Sequence, residues 1–293
     1  MPTFAPAADP VIFLVDNGSL EPAATLGLRA IAESLGRNLG CVVEPVSLLH
    51  SSAIPAGQLG GQAAEILEPA LERRLRAGTD DFLVVPLFFG PSRALADYLP
   101  RRITALKGRF PRLRVRLAPP LVEANDIHDQ RLATILEDRV RAVLTNLGGF
   151  PLVTDGSAPA VILVDHGSPA REVAAVRDHL AVQLQLRLGS AVRSVLAASM
   201  ERRPGPDYAF ADPLLEHAFD QSSFNAGPVI VTLLFFSPGR HAGPEGDVAK
   251  ICAAARRRHP QLHTVTTEPV GSHPGLISLL ADRVRTGLAR APL

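Results

Sequence analysis

The chain carries one pattern twice. Ile12 to Ser19 reads IFLVDNGS, and Val161 to Ser168, 149 positions later, reads VILVDHGS. Other landmarks recur in the same order. VVPLFFGPSR (Val84 to Arg93) matches VTLLFFSPGR (Val231 to Arg240), FPRL (Phe110 to Leu113) matches HPQL (His259 to Leu262), and LEDRVRAVL (Leu136 to Leu144) matches LADRVRTGL (Leu280 to Leu288). The unit is far longer than a solenoid repeat. It divides the 293 residues into two homologous domains of ordinary size, each expected to bury its own core. The boundary is expected in Asn146 to Ala160, where three Gly, two Pro and small polar residues separate a helical pattern from a strand. This gives domains of 1–150 and 151–293.

Each half alternates short β-rich runs with amphipathic helical stretches. Strands are expected at Val11 to Val15, Cys41 to Val46, Phe82 to Phe88 and Arg114 to Leu117, then at Val161 to Val164, Ala191 to Leu196, Val229 to Leu234 and His263 to Thr266. Helices of the second half are expected at Ala170 to Leu188, Asp207 to Phe219, Glu245 to Arg258 and Leu276 to Leu288. Strands joined by crossover helices imply an α/β fold, here two tandem parallel sheets flanked by helices. The unbroken apolar runs FLVVPLFF and VIVTLLFF suit central strands buried on both faces. Ligands of such sheets sit beyond the carboxyl ends of the strands, where strand order reverses. With an order of 2-1-3-4, the residues after strands one and three of a half face one crevice.

Composition narrows the function classes. Formal net charge is +1, there is no Trp and there are two Tyr, so the basic surplus and stacking aromatics of a nucleic-acid binder are missing. Cys41 and Cys252 lie in apolar runs and are read as buried free thiols. MPTFAPAADP lacks the charged and apolar regions of a signal peptide, and no apolar run nears the ~20 residues of a membrane span. A cytoplasmic protein without membrane or nucleic-acid partners is expected.

Of nine histidines, two stand apart. His166 ends the first strand of the second half in DHGSP, where the first half has Asn17; His241 lies in FFSPGRHAGPEGD, where the first half has Ala94. Two histidines absent together from one copy and present together in the other point to shared chemistry. Two neutral imidazoles suit Co²⁺, Ni²⁺, Fe²⁺ or Zn²⁺. Glu245 follows His241 by four residues and shares its face if a helix has begun there, making it a third ligand or proton acceptor; otherwise it is a solvated acid at a helix start. Asp165 is matched by Asp16 and is read as structural. Ser168 caps the helix after the turn; a reading in which Ser168 or Ser19 is a nucleophile lacks a GxSxG elbow. Arg240 stands beside His241, and Arg93 occupies the matching position in the first half. Glu201 is a weak candidate for the cleft lining, and His273 is either at the crevice mouth or a cap of the last helix.

VDHGS closing a first strand, a PLFF/LLFF strand, a glycine loop with His and a nearby acid together resemble the sirohydrochlorin chelatases, the CbiX/SirB type. The resemblance covers both halves and fits the double-domain form. It implies two α/β domains facing across a cleft, and lyase-type insertion of a divalent metal into a sirohydrochlorin-type tetrapyrrole without ATP, in cobalamin or sirohaem synthesis. It also implies that His166 and His241 bind the metal with Glu245 at the acidic position, the metal (Co²⁺ foremost, Fe²⁺ or Ni²⁺ otherwise) being substrate and no organic cofactor being used. The many carboxylates of such a substrate would suit Arg240 and, on the opposite rim, Arg93, with Ser168 as a further substrate-binding candidate and Arg202 and Arg203 as weaker ones. Asn17 and Ala94 depart from that pattern, so one site at most is expected. A non-catalytic carrier of metal or tetrapyrrole is the alternative. The duplication suggests a monomer with an internal pseudo-dimer. Because metal binding needs neutral imidazole, activity is expected to fall below about pH 6.

Overall fold

A computed structural model describes residues 9–123, 126, 128–146 and 158–293. Most of the expected boundary segment lies outside the described residues, as does Ala124, the position matched with His273. In the first half β1 (Val11–Asp16), α1 (Pro22–Leu39), β2 (Val43–Ser47), α2 (Leu67–Arg76), β3 (Asp81–Pro86), α3 (Leu99–Arg109), β4 (Arg114–Leu117) and α4 (Arg131–Asn146) follow in order. The second half repeats this with β5 (Ala160–Asp165), α5 (Arg171–Leu188), β6 (Ser194–Ser199), α6 (Leu215–Ala218), β7 (Gly227–Leu233), α7 (Gly239–Ala242), α8 (Asp247–Arg258), β8 (Leu262–Thr266) and α9 (Pro274–Leu288). Both sheets are four-stranded and parallel, in the orders β2-β1-β3-β4 and β6-β5-β7-β8. The strand-order reversal of each half therefore falls between β1 and β3, and between β5 and β7.

Two-residue periodicity assigns each strand's two faces to different cores. Ile12 and Leu14 of β1, with Val161 and Leu163 of β5, point into one central core. Phe13 and Val15 point into an outer core of the first half; Ile162 and Val164 point into an outer core of the second. The central core is common to both halves, which revises the expectation of a separate core for each. The cause is an exchange of terminal helices. α9 lies on the first sheet, where a Cβ at Gly287 would sit 2.7 Å from the Ala118 side chain and 2.8 Å from that of Leu83. Leu293 N donates to Val115 O at 2.8 Å, and Arg283 donates to Leu121 O at 2.7 Å. Reciprocally, α4 lies against the second half, with Glu137 paired to Arg187 at 2.7 Å and Arg139 to Glu268 at 2.9 Å.

Three local expectations change. The helix expected over Asp207 to Phe219 is a 3₁₀ turn (Pro206–Ala211) and the short α6, interrupted at Pro213, whose ring cannot continue a hydrogen-bonded helix. The helix expected from Glu245 starts at Asp247. Cys252 is buried as expected, and burial pushes its thiol up to about 11, but Cys41 is exposed, because its apolar run precedes β2 and does not belong to it. Among the described residues no helix is long and apolar enough to cross a membrane.

Candidate metal centre

β5 delivers His166 through a turn that only glycine fits. Gly167 has φ 96°, and a Cβ there would lie 1.9 Å from Glu201 O. Met200 N donates to Asp165 O at 2.8 Å and Glu201 N to His166 O at 3.2 Å, binding the β6 exit to the β5 exit. Ser168 Oγ accepts from Ala170 N at 3.1 Å and closes the turn; it does not cap the helix as expected, because α5 starts at Arg171 and its N-cap is Ala170, two residues further on. The first half builds the same turn. Gly18 has φ 89° against Leu49 O, Leu48 N donates to Asp16 O at 2.9 Å, and Leu49 N donates to Asn17 O at 3.2 Å. The backbone thus matches Asn17 with His166 and Leu49 with Glu201.

His241 stands on α7 beyond β7, and its ring meets that of His166 edge to face, centroids 4.7 Å apart at 77°. The two histidines singled out in the sequence are brought together. Each ring is oriented through Nδ1: that of His166 lies 3.2 Å from Gly167 O, and that of His241 lies 2.7 Å from Asp247 Oδ2. With Nδ1–H donated to oxygen, the lone pair of each neutral ring resides on Nε2. Glu201 Oε1 is 3.6 Å from His166 Nε2. Among the described residues no three His, Cys, Asp or Glu side chains converge as a metal cluster, so the pair is a two-imidazole site. Glu201 is exposed beside it.

Glu245 does not share a helical face with His241. α7 ends at Ala242, the chain turns through Gly243 to Gly246, and Glu245 is exposed in that turn, away from the cleft lining. The acid that reaches His241 is Asp247, the first residue of α8, whose carboxylate is held below its usual range by the His241 hydrogen bond and then by the charges of Lys250 and Arg240. Sequence reading missed Asp247 because an acid opening a helix reads as a dipole partner. Sequence reading places Glu201 near the cleft but not beside His166, since its match, Leu49, emerges only from the backbone hydrogen bonds. His273 belongs to the fold: Nδ1 accepts from Gly275 N at 3.1 Å to cap α9, and Nε2 is 3.4 Å from Asp138 Oδ2 on α4. Arg202 is committed to Asp212 at 2.8 Å, and Arg203 lies over the Tyr208 ring.

The histidines open into a cleft of about 750 Å³ between the halves. Along its lining Phe89 and Phe236, equivalent residues of the repeat, stack with centroids 4.0 Å apart and planes 4° from parallel. Arg93 from the first half and Arg240 from the second both line the cleft. The result is a largely apolar slot with an imidazole pair on one wall and one guanidinium from each half, dimensions and chemistry that fit a flat organic ring with acidic substituents.

The CbiX family model matches residues 11–143 and again 160–287. Sirohydrochlorin ferrochelatase, chloroplastic, of Arabidopsis thaliana is 28% identical over 131 residues, which are 44% of this chain and 53% of that protein. The chain thus spans about half the length of the curated relative it matches. Among solved structures, SirB from Bacillus subtilis with Fe³⁺ superposes with a TM-score of 0.70 at 18% identity, covering 96% of each chain. SirB from Bacillus subtilis subspecies spizizenii in complex with cobalt superposes at 0.67 and 16% identity, covering 95% of each. At those identities the structures establish likeness of fold.

Proposed function

The chain belongs to the CbiX family of sirohydrochlorin chelatases, and from that premise we propose that it inserts a divalent metal, Co²⁺ foremost and Fe²⁺ or Ni²⁺ otherwise, into a sirohydrochlorin-type tetrapyrrole without ATP. The observation that carries the reading is the facing pair His166 and His241 lining the interdomain cleft. In this reading residues 151–293 supply the metal site, and residues 1–150, which have Asn17 and Ala94 instead, supply the opposite wall. Cobalamin or sirohaem synthesis in the cytoplasm is the proposed setting, and the internal pseudo-dimer is proposed to work as a monomer.

Insertion exchanges one dication for two pyrrole N–H protons, so the site must release a metal and accept protons. His166 and His241 present Nε2 to the dication. Asp247 accepts from His241 Nδ1 in this reading and fixes its ring, leaving Nε2 to face the metal. As the metal passes to ring nitrogens, the vacated imidazoles become bases beside the pyrroles, and Glu201 is the nearest carboxylate to share that role. Arg93 and Arg240 hold carboxylates at two rims, Ser168 fixes the turn that carries His166, and the Phe89–Phe236 stack supports the ring plane.

The test is the visible spectrum of sirohydrochlorin with Co²⁺, Fe²⁺ or Ni²⁺, with the wild type and with His166→Ala/His241→Ala. Acceleration by the wild type, lost in the double variant, is expected. Binding without acceleration by any metal would make the protein a carrier of metal or tetrapyrrole.

A further inference from the structure

We infer that Arg177, on the inner face of α5 and outside the cleft lining, is the residue that sets His166 and Glu201 opposite one another; its bearing on metal rests on the chelatase reading. Arg177 is the largest fully buried side chain among the described residues, 1% exposed. Its five N–H groups are all engaged. Nε and Nη2 donate to Asp178 Oδ1 at 2.9 and 2.6 Å, Nη1 donates to Ser199 Oγ and to Ala211 O at 3.2 Å, and Nη2 donates to Phe210 O at 3.3 Å. Ser199 Oγ donates onward to Asp165 Oδ1 at 2.8 Å, and Arg177 Nη1 is itself 3.7 Å from that oxygen. One guanidinium therefore ties the residue before His166, the strand end two residues before Glu201, and the 206–211 segment that follows.

The repeat supplies an internal control. α1 and α5 are both 18 residues long, and the position matching Arg177 is Leu28, buried in the central core. Asp16 and Ser47 are retained as the partners of Asp165 and Ser199, but without the arginine Asp16 Oδ1 is buried and unpartnered. The half that lacks His166, Glu201 and His241 lacks Arg177 too, although it builds the same sheet and turn. A residue needed only for the α/β fold would not be confined to the half with the imidazoles. Leu28 also shows that the fold admits leucine at this place.

The test compares wild type, Arg177→Leu, Arg177→Lys and, should Arg177→Leu not fold, Ser199→Ala, which cuts the link while keeping the charge. In the metal-free protein, hydrogen exchange at the Met200 and Glu201 amides, which bond Asp165 O and His166 O, is expected to speed up about tenfold in Arg177→Leu or Ser199→Ala. Arg177→Lys should recover part of the protection. Co²⁺ affinity is expected to fall about tenfold in parallel, as for other partners that orient ligands. Unchanged exchange at those two amides, with only a lower melting temperature, would overturn the inference. Failure of the wild type to bind Co²⁺ through histidine would sink the chelatase reading instead, and the exchange result would still decide what Arg177 positions.

Discussion

Two carboxylates near the histidines differ in what surrounds them, and that difference is measurable. Glu201 lies 3.6 Å from His166 Nε2, whereas Glu245 projects from the turn between α7 and α8. Glu201→Ala is expected to weaken Co²⁺ binding by about tenfold, the lower end for loss of a supporting group, and Glu245→Ala to leave it within about twofold; calorimetric titration separates them, and equal effects would restore Glu245 to the site. A second contrast concerns the paired aspartates. Burial pushes Asp16 above the usual carboxylate range, against hydrogen bonds from Ser47 and the Gly18 backbone, and no arginine offsets it. Its folded pKa exceeds its unfolded value, so the native state holds the proton more tightly and stability falls as pH rises through that window. Asp16→Asn should therefore raise the melting temperature at pH 7 to 8, with the gain closing towards pH 4. A gain that persists at pH 4 would mean that charge is not the cause. The histidines were legible because the repeat exposes their segregation. Glu201 was not, because the chain length between His166 and its partner differs between the halves, and only the strand-exit hydrogen bonds set the match.

At the scale of elements, period and punctuation found the strands, since buried parallel strands read as apolar runs bounded by turns, but β6 starts three residues later than expected because Gly189–Ala191 forms a 3₁₀ turn. Errors arose where a helical pattern crossed a backbone it could not follow, at Pro213 and at the Gly243–Gly246 turn. What single elements could not reveal is the partner each helix covers, because an apolar face carries no address. The address lies in charge pairs between the helices. Asp129, just before α4, accepts from Arg131 and from Arg283 of α9, the latter at 2.7 Å between side chains only 5 and 6% exposed. Burial alone would raise Asp129, but the hydrogen bonds and charges of Arg131 and then Arg283 outweigh it and bring it to about 2. A depressed acid contributes stability above its unfolded pKa of about 3.9 and loses it as pH falls towards 2. Asp129→Asn is expected to cost on the order of 2 kcal/mol at pH 7, with the difference vanishing near pH 2 in denaturant titrations. A penalty independent of pH would place the effect in shape and not in charge.

The whole molecule is one unit through its exchanged ends. α4 buries Leu132, Ile135, Leu136 and Val140 to 2% exposure or less against the shared core. At about 1.5–3 kcal/mol for each aliphatic side chain, these four supply roughly 6–12 kcal/mol, comparable to the whole stability of a typical domain. A fragment of residues 158–293 loses that cover, and it also carries an α9 whose sheet has been removed. It should not persist as a folded monomer, even though it holds both histidines. A second copy offers a remedy, because α9 is the repeat counterpart of α4: LADRVRTGL stands where LEDRVRAVL stands in the first half. Each copy's α9 can cover the other's exposed sheet, which closes the interface by two-fold symmetry with no free face left over. Sedimentation of the fragment is expected to show a dimer that binds one Co²⁺ for each copy; in the full chain, Gly287→Leu is expected to lower the melting temperature, because α9 approaches Ala118 and Leu83 of the first half too closely for a side chain. A fragment that sediments as a monomer and melts cooperatively would show that the exchanged helix is dispensable, and that the two halves are joined by the chain alone.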